Sequence, residues 1–499
     1  MANATRSSRP RVAVIGAGMG GLAAAIDLAR SGAEVTLLER ASAPGGKMRQ
    51  VEVAGRPIDG GPTVFTMRWV FEQLFKDAGA RLEERLDLRP AEILARHAWI
   101  QGGRLDLHRD IEASIAAIAA FAGQREAEGY RAFCARGADI FQTLRPSFMT
   151  AQRPSPLQLI QRVGLRNLGS LRRTAPFTTL WTALAEHFKD PRLRQLFGRY
   201  ATYVGSSPLA APATLMLIAH VEQQGVWQVG GGMWQVAKAL QTLAEEQGAE
   251  VRLGAEVAEI RSSGSRVSGL RLADGEAIAA EAVVFNGEPA ALEQGLLGTA
   301  PRPAVKGPPR AERALSAVTW CMLAKTSGLE LAHHTVFFGK DYPREFEAIF
   351  RRRTICEEPT VYICAQDRGE GMAPPDGAER LLLLVNAPPD GDLEAWAEGD
   401  HEALKAKVLA FLEACGLTIE EEASVTTGPG RFNQLFPASG GALYGRANHG
   451  SFASFDKPGA ASRLRGLYLA GGSVHPGAGV PMATLSGRLA AQRVLNDLT

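Results

Sequence analysis

Gly16, Gly18 and Gly21 form a G-x-G-x-x-G loop, and Glu39 stands further along the chain; these are the residues best suited to hold a dinucleotide. Glycine at the first position allows a tight turn. At the second it lets backbone approach a pyrophosphate, and at the third it lets a helix lie close on a strand. The loop backbone, Ala17 included, and the free N–H groups of the following helix would face the phosphates. The Glu39 carboxylate would accept hydrogen bonds from ribose hydroxyls.

Such a loop needs a strand before it, a helix after it and a second strand that ends in the acid. "RVAVIGAGMGGLAAAIDLARSGAEVTLLER" (11–40) supplies all of them. Residues 12–15 are apolar and largely β-branched, as a buried parallel strand requires. Residues 22–30 are good helix formers that stop at Ser31-Gly32, and 34–38 make the second strand. A lone G-x-G-x-x-G is a weak sign; here strand, helix, strand and acid agree.

At 499 residues the chain is too long for one hydrophobic core, so two or three domains are expected. Hydrophobic residues at 45% and charged residues at 22% mark an ordinary globular protein. A net charge of only +2 does not favour nucleic acid as a partner. The cysteines at 134, 321, 356, 364 and 415 form no CxxC pair and have no zinc spacing, so no metal and a reduced, cytoplasmic compartment are expected. No secretory leader is legible, and no run of 18 apolar residues exists, which predicts a protein in solution or on a membrane surface.

After Glu39 the sequence "RASAPGGKMRQVEVAGRPIDGGPTVF" is similar to the Arg-x(5–6)-Gly-Gly extension of two-dinucleotide-binding-domain flavoproteins, through Arg40, Gly45 and Gly46. That extension points to non-covalent FAD rather than NAD. Lys47 would neutralise a phosphate, or else be a solvated surface lysine.

Four stretches then resemble bacterial-type phytoene desaturases: "IDGGPTVFTM" (58–67), 225–260, 269–289 and "LYLAGGSVHPGAGVPMATLSGRLAA" (467–491). The resemblance covers nearly the whole chain. It implies a Rossmann-like α/β FAD protein with a second mixed-sheet substrate domain and a helical membrane-facing region. By the same resemblance Gly61, Pro62, Thr63 and Val64 pass beside the flavin, Val257 meets the adenine through its backbone, and Asn286 lies near the pyrophosphate. Gly471 and Gly472 would admit the ribityl-phosphate, and Val480, Pro481 and Met482 would begin a helix aimed at the flavin pyrimidine. Residues 464–496 contain no Asp or Glu, which suits an anionic cofactor at a helix N-terminus.

"FGRYATYVGSSPLAAPATLMLIAHVEQQGVW" (197–227) and "VPMATLSGRLAA" (480–491) look most like the branch that acts on acyclic 1-hydroxy- or 1-methoxy-carotenoids. That branch implies formation of a C3–C4 double bond in carotenoid biosynthesis, with hydride passing to flavin N5 and a proton lost from the neighbouring carbon. Oxygen or a membrane quinone would reoxidise the flavin. Phytoene desaturation, redox-neutral carotenoid isomerisation, an amine oxidase-like activity and a non-catalytic prenyl-lipid carrier are the competing readings.

The expected layout is FAD-binding over 1–105, 225–295 and 426–499, a helical membrane-associating region over 106–224, and a substrate sheet over 296–425. From 141 to 185 there is no acid, but Arg145, Arg153, Arg162, Arg166, Arg172 and Arg173 are interleaved with apolar residues. That pattern predicts contact with the inner or photosynthetic membrane from the cytoplasmic side.

No catalytic residue is assigned. His475 reads as a brace for its loop at least as well as a proton carrier, and Asp59 as a brace for its own turn. His333 and His334 are adjacent in a predicted strand and should point to opposite faces, which argues against a shared metal. The arginines at 351–353 read as a solvated or lipid-facing loop.

Overall fold

Arg11–Ile15, the strand ahead of the glycine loop, is the middle of a five-stranded parallel sheet in the computed structural model, which describes residues 9–164, 176–369, 372, 375–393 and 398–498. The order is Leu467–Leu469, Ala282–Phe285, Arg11–Ile15, Glu34–Glu39, Glu250–Leu253. Three separated parts of the chain thus meet edge to edge, each strand parallel to its neighbour.

Side chains alternate across this sheet, as strand geometry demands. Val12, Val14, Val35 and Leu37 face a core shared with helices Met19–Arg30, Trp234–Glu246 and Val480–Leu498. Ala13, Leu38, Val283 and Phe285 face an antiparallel meander of Val257–Ser263, Arg266–Leu272 and Ala277–Ala279. The first and last helices cross at glycine: a Cβ on Gly487 would lie 1.9 Å from the Gly20 carbonyl oxygen.

A seven-stranded sheet forms the second body. Its order is Leu417–Thr427, Ser316–Gly328, Glu379–Ala387, Val361–Ala365, His334–Phe338, Ile93–Trp99, Arg104–His108. It is antiparallel except where His334–Phe338 runs parallel to Ile93–Trp99. One face packs Trp320, Ile363, Leu383 and Val385 on Val408, Phe411 and Leu412 of helix Glu398–Ala414. The other face turns Val336, Tyr362, Leu382 and Leu384 to an internal cavity. A boundary at 105 therefore does not follow the sheets, because residues 93–108 form the edge of this one.

Residues 110–144, which are rich in alanine, hold two helices, Ile111–Ala122 and Gln124–Leu144, separated by Gly123 at φ +95°. With Leu180–His187, Pro191–Gly198 and Leu217–Gln223 they close on Phe133, Phe188 and Phe197 and cover the cavity from the side opposite the seven-stranded sheet. Helix Pro156–Val163 starts at a capping box in which Ser155 and Gln158 bond each other's backbone. Arg166, Arg172 and Arg173 lie outside the described residues. No described helix is long and apolar enough to cross a membrane.

Candidate active site

The glycine loop is shaped for a ligand that touches backbone. Gly16 is at φ +97° and its N–H donates to the Leu38 carbonyl over 2.7 Å. A Cβ on Gly21 would fall 1.9 Å from the Gly16 carbonyl oxygen, so the helix lies on the strand at glycine distance. Helix Met19–Arg30 has Gly18 as N-cap with no side-chain cap and no acid in its first turn. Its first N–H groups thus stay available to an anion. Glu39 is fixed by its own neighbourhood: the Ala17 N–H donates to it over 2.8 Å and the Ala41 N–H over 2.9 Å.

Asn286 closes the cradle. Its side-chain amide donates to the Gly16 carbonyl at 3.1 Å. A Cβ on Gly18 would sit 2.8 Å from the same amide nitrogen, and one on Gly471 would sit 2.7 Å from the amide oxygen. Side chains there would fill the space, and glycine leaves it open. Gly45 and Gly46, at φ +116° and +59°, bring the post-Glu39 turn against Gly18. These features fit the pyrophosphate and ribose of a dinucleotide.

One cavity of about 970 Å³ runs from this cradle into the space between the seven-stranded sheet and the helices. Gly16, Gly18, Glu39, Arg40, Gly46, Lys47, Gly61, Pro62, Thr63, Val64, Val257, Asn286, Gly471, Gly472, Val480, Pro481 and Met482 all line it. Ala17 and Gly21 do not: the first acts through its N–H to Glu39, the second through packing. Helix Val480–Leu498 begins at the cavity with no acid in its first turn.

Several side chains have partners that the sequence did not reveal. Arg40 donates to the carbonyls of Gln434 and Leu435 at the end of helix Pro429–Leu435. Lys47 is not a solvated surface lysine: its Nζ is 3.0 Å from Glu288 and 2.9 Å from the Leu443 carbonyl. Glu288 also accepts from Ser473 Oγ at 2.6 Å. Behind that loop lies Lys457, 2% exposed, which burial lowers to about 8 against the raising pull of the Glu288 carboxylate.

Asp59 does not brace its own turn. It accepts from the Met233 N–H at 2.5 Å, beside a Gly232 whose Cβ would clash with the carboxylate at 2.3 Å. Burial raises its pKa, opposed by that hydrogen bond. His475 is a brace: its Nε2 donates to the Ala151 carbonyl at 2.9 Å, and burial lowers the ring to about 4. Arg353 is not solvated either, because it pairs with the buried Asp390.

His333 and His334 do not diverge. The strand starts at His334, so alternation does not govern His333, and the two rings lie 4.6 Å apart. With Cys364 their ligating atoms come within 4.8 Å of one another. Hydrogen bonds explain the cluster: His333 Nδ1 meets the Arg368 carbonyl at 2.6 Å, and its Nε2 lies 3.6 Å from the Cys364 thiol. His334 Nδ1 bonds the Tyr362 hydroxyl at 2.7 Å, which bonds Thr63 at 2.6 Å. That chain links the sheet to the 58–67 segment, and no feature of the isolated sequence joined these residues.

A five-stranded parallel sheet with this cradle defines a dinucleotide-binding α/β protein. Its fold is shared by an oxidoreductase from Methanosarcina mazei, at a TM-score of 0.59 and 17% identity over 97% of this chain and 100% of that one. The sequence pattern of the flavin-containing amine oxidoreductases matches residues 19–495. The chain is 50% identical to a hydroxyneurosporene desaturase of Rubrivivax gelatinosus, over 98% of this chain and 94% of that protein. It is 46% identical to one of Cereibacter sphaeroides, over 98% of each. The chain belongs to the flavin-containing amine oxidoreductase family and, within it, to the carotenoid desaturases. It is an FAD-dependent oxidoreductase.

Proposed function

We propose that the protein introduces the C3–C4 double bond into acyclic carotenoids that carry a 1-hydroxyl or 1-methoxyl group. The observation that carries this reading is the single cavity that joins the dinucleotide cradle to a chamber walled by Leu94, Leu215, Ile218, Val221, Val336 and Leu384. Such a wall binds hydrocarbon and excludes water. The hydroxyneurosporene desaturases at 50% and 46% identity support the substrate class.

Bound FAD supplies the hydride acceptor. The chain's own contribution is placement: the helical wall and the seven-stranded sheet hold the polyene, and the 58–67 segment sets its approach to the cradle. Hydride loss from C4 leaves a cation spread over the conjugated chain, which acidifies the C3 proton. Positioning then does more for the rate than a strong base.

Delivery from a lipid surface belongs to the same proposal. Leu157, Phe177 and Phe452 are 72%, 76% and 54% exposed. Phe177 meets Phe452, and an aromatic series through Phe455 and Phe148 leads from there to the cavity wall. Arg153 and Arg162, both exposed, lie in the same region. A patch of this kind supports peripheral attachment to a lipid surface, in this proposal the inner or photosynthetic membrane. Oxygen or a membrane quinone would reoxidise the flavin in the same proposal.

The test is a product assay with FAD and lipid, offering 1-hydroxyneurosporene and, separately, phytoene. A red shift with loss of two hydrogens from the hydroxylated substrate is expected. A new chromophore from phytoene, or isomerisation without mass change, would refute the assignment.

A further inference from the structure

The charged residues that line the cavity fall into two groups. Glu39, Arg40, Lys47, Glu256 and Glu288 belong to the dinucleotide side, whereas Arg199 and Glu222 stand on the helical wall of the hydrocarbon chamber. Ions on an apolar wall are costly unless something uses them.

The wall group is built around Glu222, which is 5% exposed. Its two carboxylate oxygens accept from the hydroxyls of Tyr200, at 2.7 Å, and of Tyr203. Arg199 donates to the Tyr203 hydroxyl at 3.3 Å and lies 5.1 Å from the centre of that ring. Among the described residues no carboxylate forms an ion pair with Arg199, and its buried Nε has no hydrogen-bond partner. Burial works against the guanidinium charge, and the Tyr203 and Glu222 groups sustain it. The cluster is therefore a fixed cation with an unmet donor, on a residue that lines the chamber.

We propose that Arg199, braced by Tyr203 and Glu222, is the subsite that holds the oxygen on C1 of the substrate. This rests on the desaturase reading above. An acyclic carotenoid of that class offers an oxygen at C1 as its polar handle, three C–C bonds from C4. The group that reads the oxygen must therefore share a chamber with the hydride acceptor. Arg199 meets that condition: it lines the same cavity as His334, Tyr362 and the cradle glycines, and Tyr362 is bonded to Thr63 of the segment beside the cradle. A donor also suits both end groups, because a hydroxyl and a methoxyl each present a lone pair. Without the oxygen, the guanidinium faces hydrocarbon with its donors unmet, so the subsite selects against the unoxygenated chain as well as for its target.

The experiment compares 1-hydroxyneurosporene with neurosporene on FAD-loaded wild type, Arg199→Met, Arg199→Lys and Tyr203→Phe. It follows kcat/KM by product and Kd by tryptophan quenching, with flavin content checked in each. Arg199→Met is expected to lose about 10- to 100-fold in kcat/KM on the hydroxylated substrate, the value of one hydrogen bond from a charged donor. Kd for that substrate should rise in step, neurosporene should lose far less, and Arg199→Lys should recover part of the preference. Tyr203→Phe, which loosens the brace, should lower the preference with the fold intact; it and Arg199→Lys decide the matter if Arg199→Met does not hold flavin. Equal losses on both substrates, or an unchanged preference in an active enzyme, overturn the subsite alone. A wild type that desaturates neither substrate overturns the desaturase reading and the subsite with it.

Discussion

Replacing Gly21 by alanine isolates the helix–strand contact on which the cradle depends. Gly21 has an ordinary helical backbone, so alanine alone would gain about 1 kcal/mol of helix propensity. The structure opposes that gain. The new Cβ would lie 1.9 Å from the Gly16 carbonyl oxygen and 3.1 Å from the Asn286 amide nitrogen. Carbon and oxygen in ordinary contact stand about 3.3 Å apart, so helix or loop must move by roughly 1.4 Å. Overpacking of this size costs about 1–3 kcal/mol, which cancels or outweighs the propensity gain. The displaced atom also matters, because the Gly16 carbonyl is the acceptor that holds Asn286. FAD affinity should therefore suffer more than stability. We expect Kd for FAD to rise about 10- to 100-fold, with a fall of a few degrees in the apoprotein midpoint. Flavin fluorescence titration and thermal unfolding measure the two, with Gly377→Ala as control because nothing lies within 4 Å of its Cβ. FAD affinity within twofold of wild type would refute the close-approach argument.

Glu39→Gln keeps the shape but loses the charge that two backbone N–H groups and a ribose would share; FAD should bind about tenfold more weakly by equilibrium titration, and unchanged binding would remove Glu39 from the ribose site. His475 is held near 4 against 6.5 in the unfolded chain, so folding disfavours its protonated form: the contribution is intact above pH 6.5 and is lost as pH falls toward 4. At pH 5 the loss is about 2 kcal/mol, and His475→Gln, which can still donate to Ala151, should flatten the fall in midpoint between pH 7 and 5. Leu157→Asp with Phe177→Asp should abolish co-flotation with anionic vesicles at unaltered flavin content, since each exposed apolar side chain contributes about 1.5–3 kcal/mol when buried in lipid. Flotation equal to wild type would place the membrane contact elsewhere.

The cradle was legible in the sequence because its chemistry is done by backbone, and backbone that must turn or approach closely requires glycine at fixed spacing. Gly16, Gly21 and Gly471 are each explained by an atom that a Cβ would meet. Side-chain networks were not legible, because their partners come from far along the chain. Asp59 finds Met233 174 residues away, and Lys47 finds Glu288 241 residues away. The boundary at 105 failed for the same reason: Ile93–Trp99 is claimed by its pairing with His334–Phe338, a contact no local pattern signals. The Arg199–Tyr203 group was half visible. Its arginine and tyrosines share one turn, Arg199–Val204, but the acid that organises them arrives from helix Leu217–Gln223.

The absence of an assigned base has a consequence that can be measured. The titratable side chains bonded along the sheet wall of the chamber are His334 and Tyr362. Burial first, then the neighbouring His333 and Arg199, hold His334 well below its ordinary value; burial holds Tyr362 well above its own. Between about pH 6 and 8 neither changes charge, so neither can impose a pH dependence on the step that forms the double bond. If C3 deprotonation is driven by the delocalised cation, single-turnover product formation should be flat across that interval, with a deuterium effect at C4. A bell-shaped profile would mean that a chamber group titrates in that window after all. His334→Gln would then decide between a base at that position, which should abolish the rising limb, and one elsewhere in the chamber, which should leave it in place.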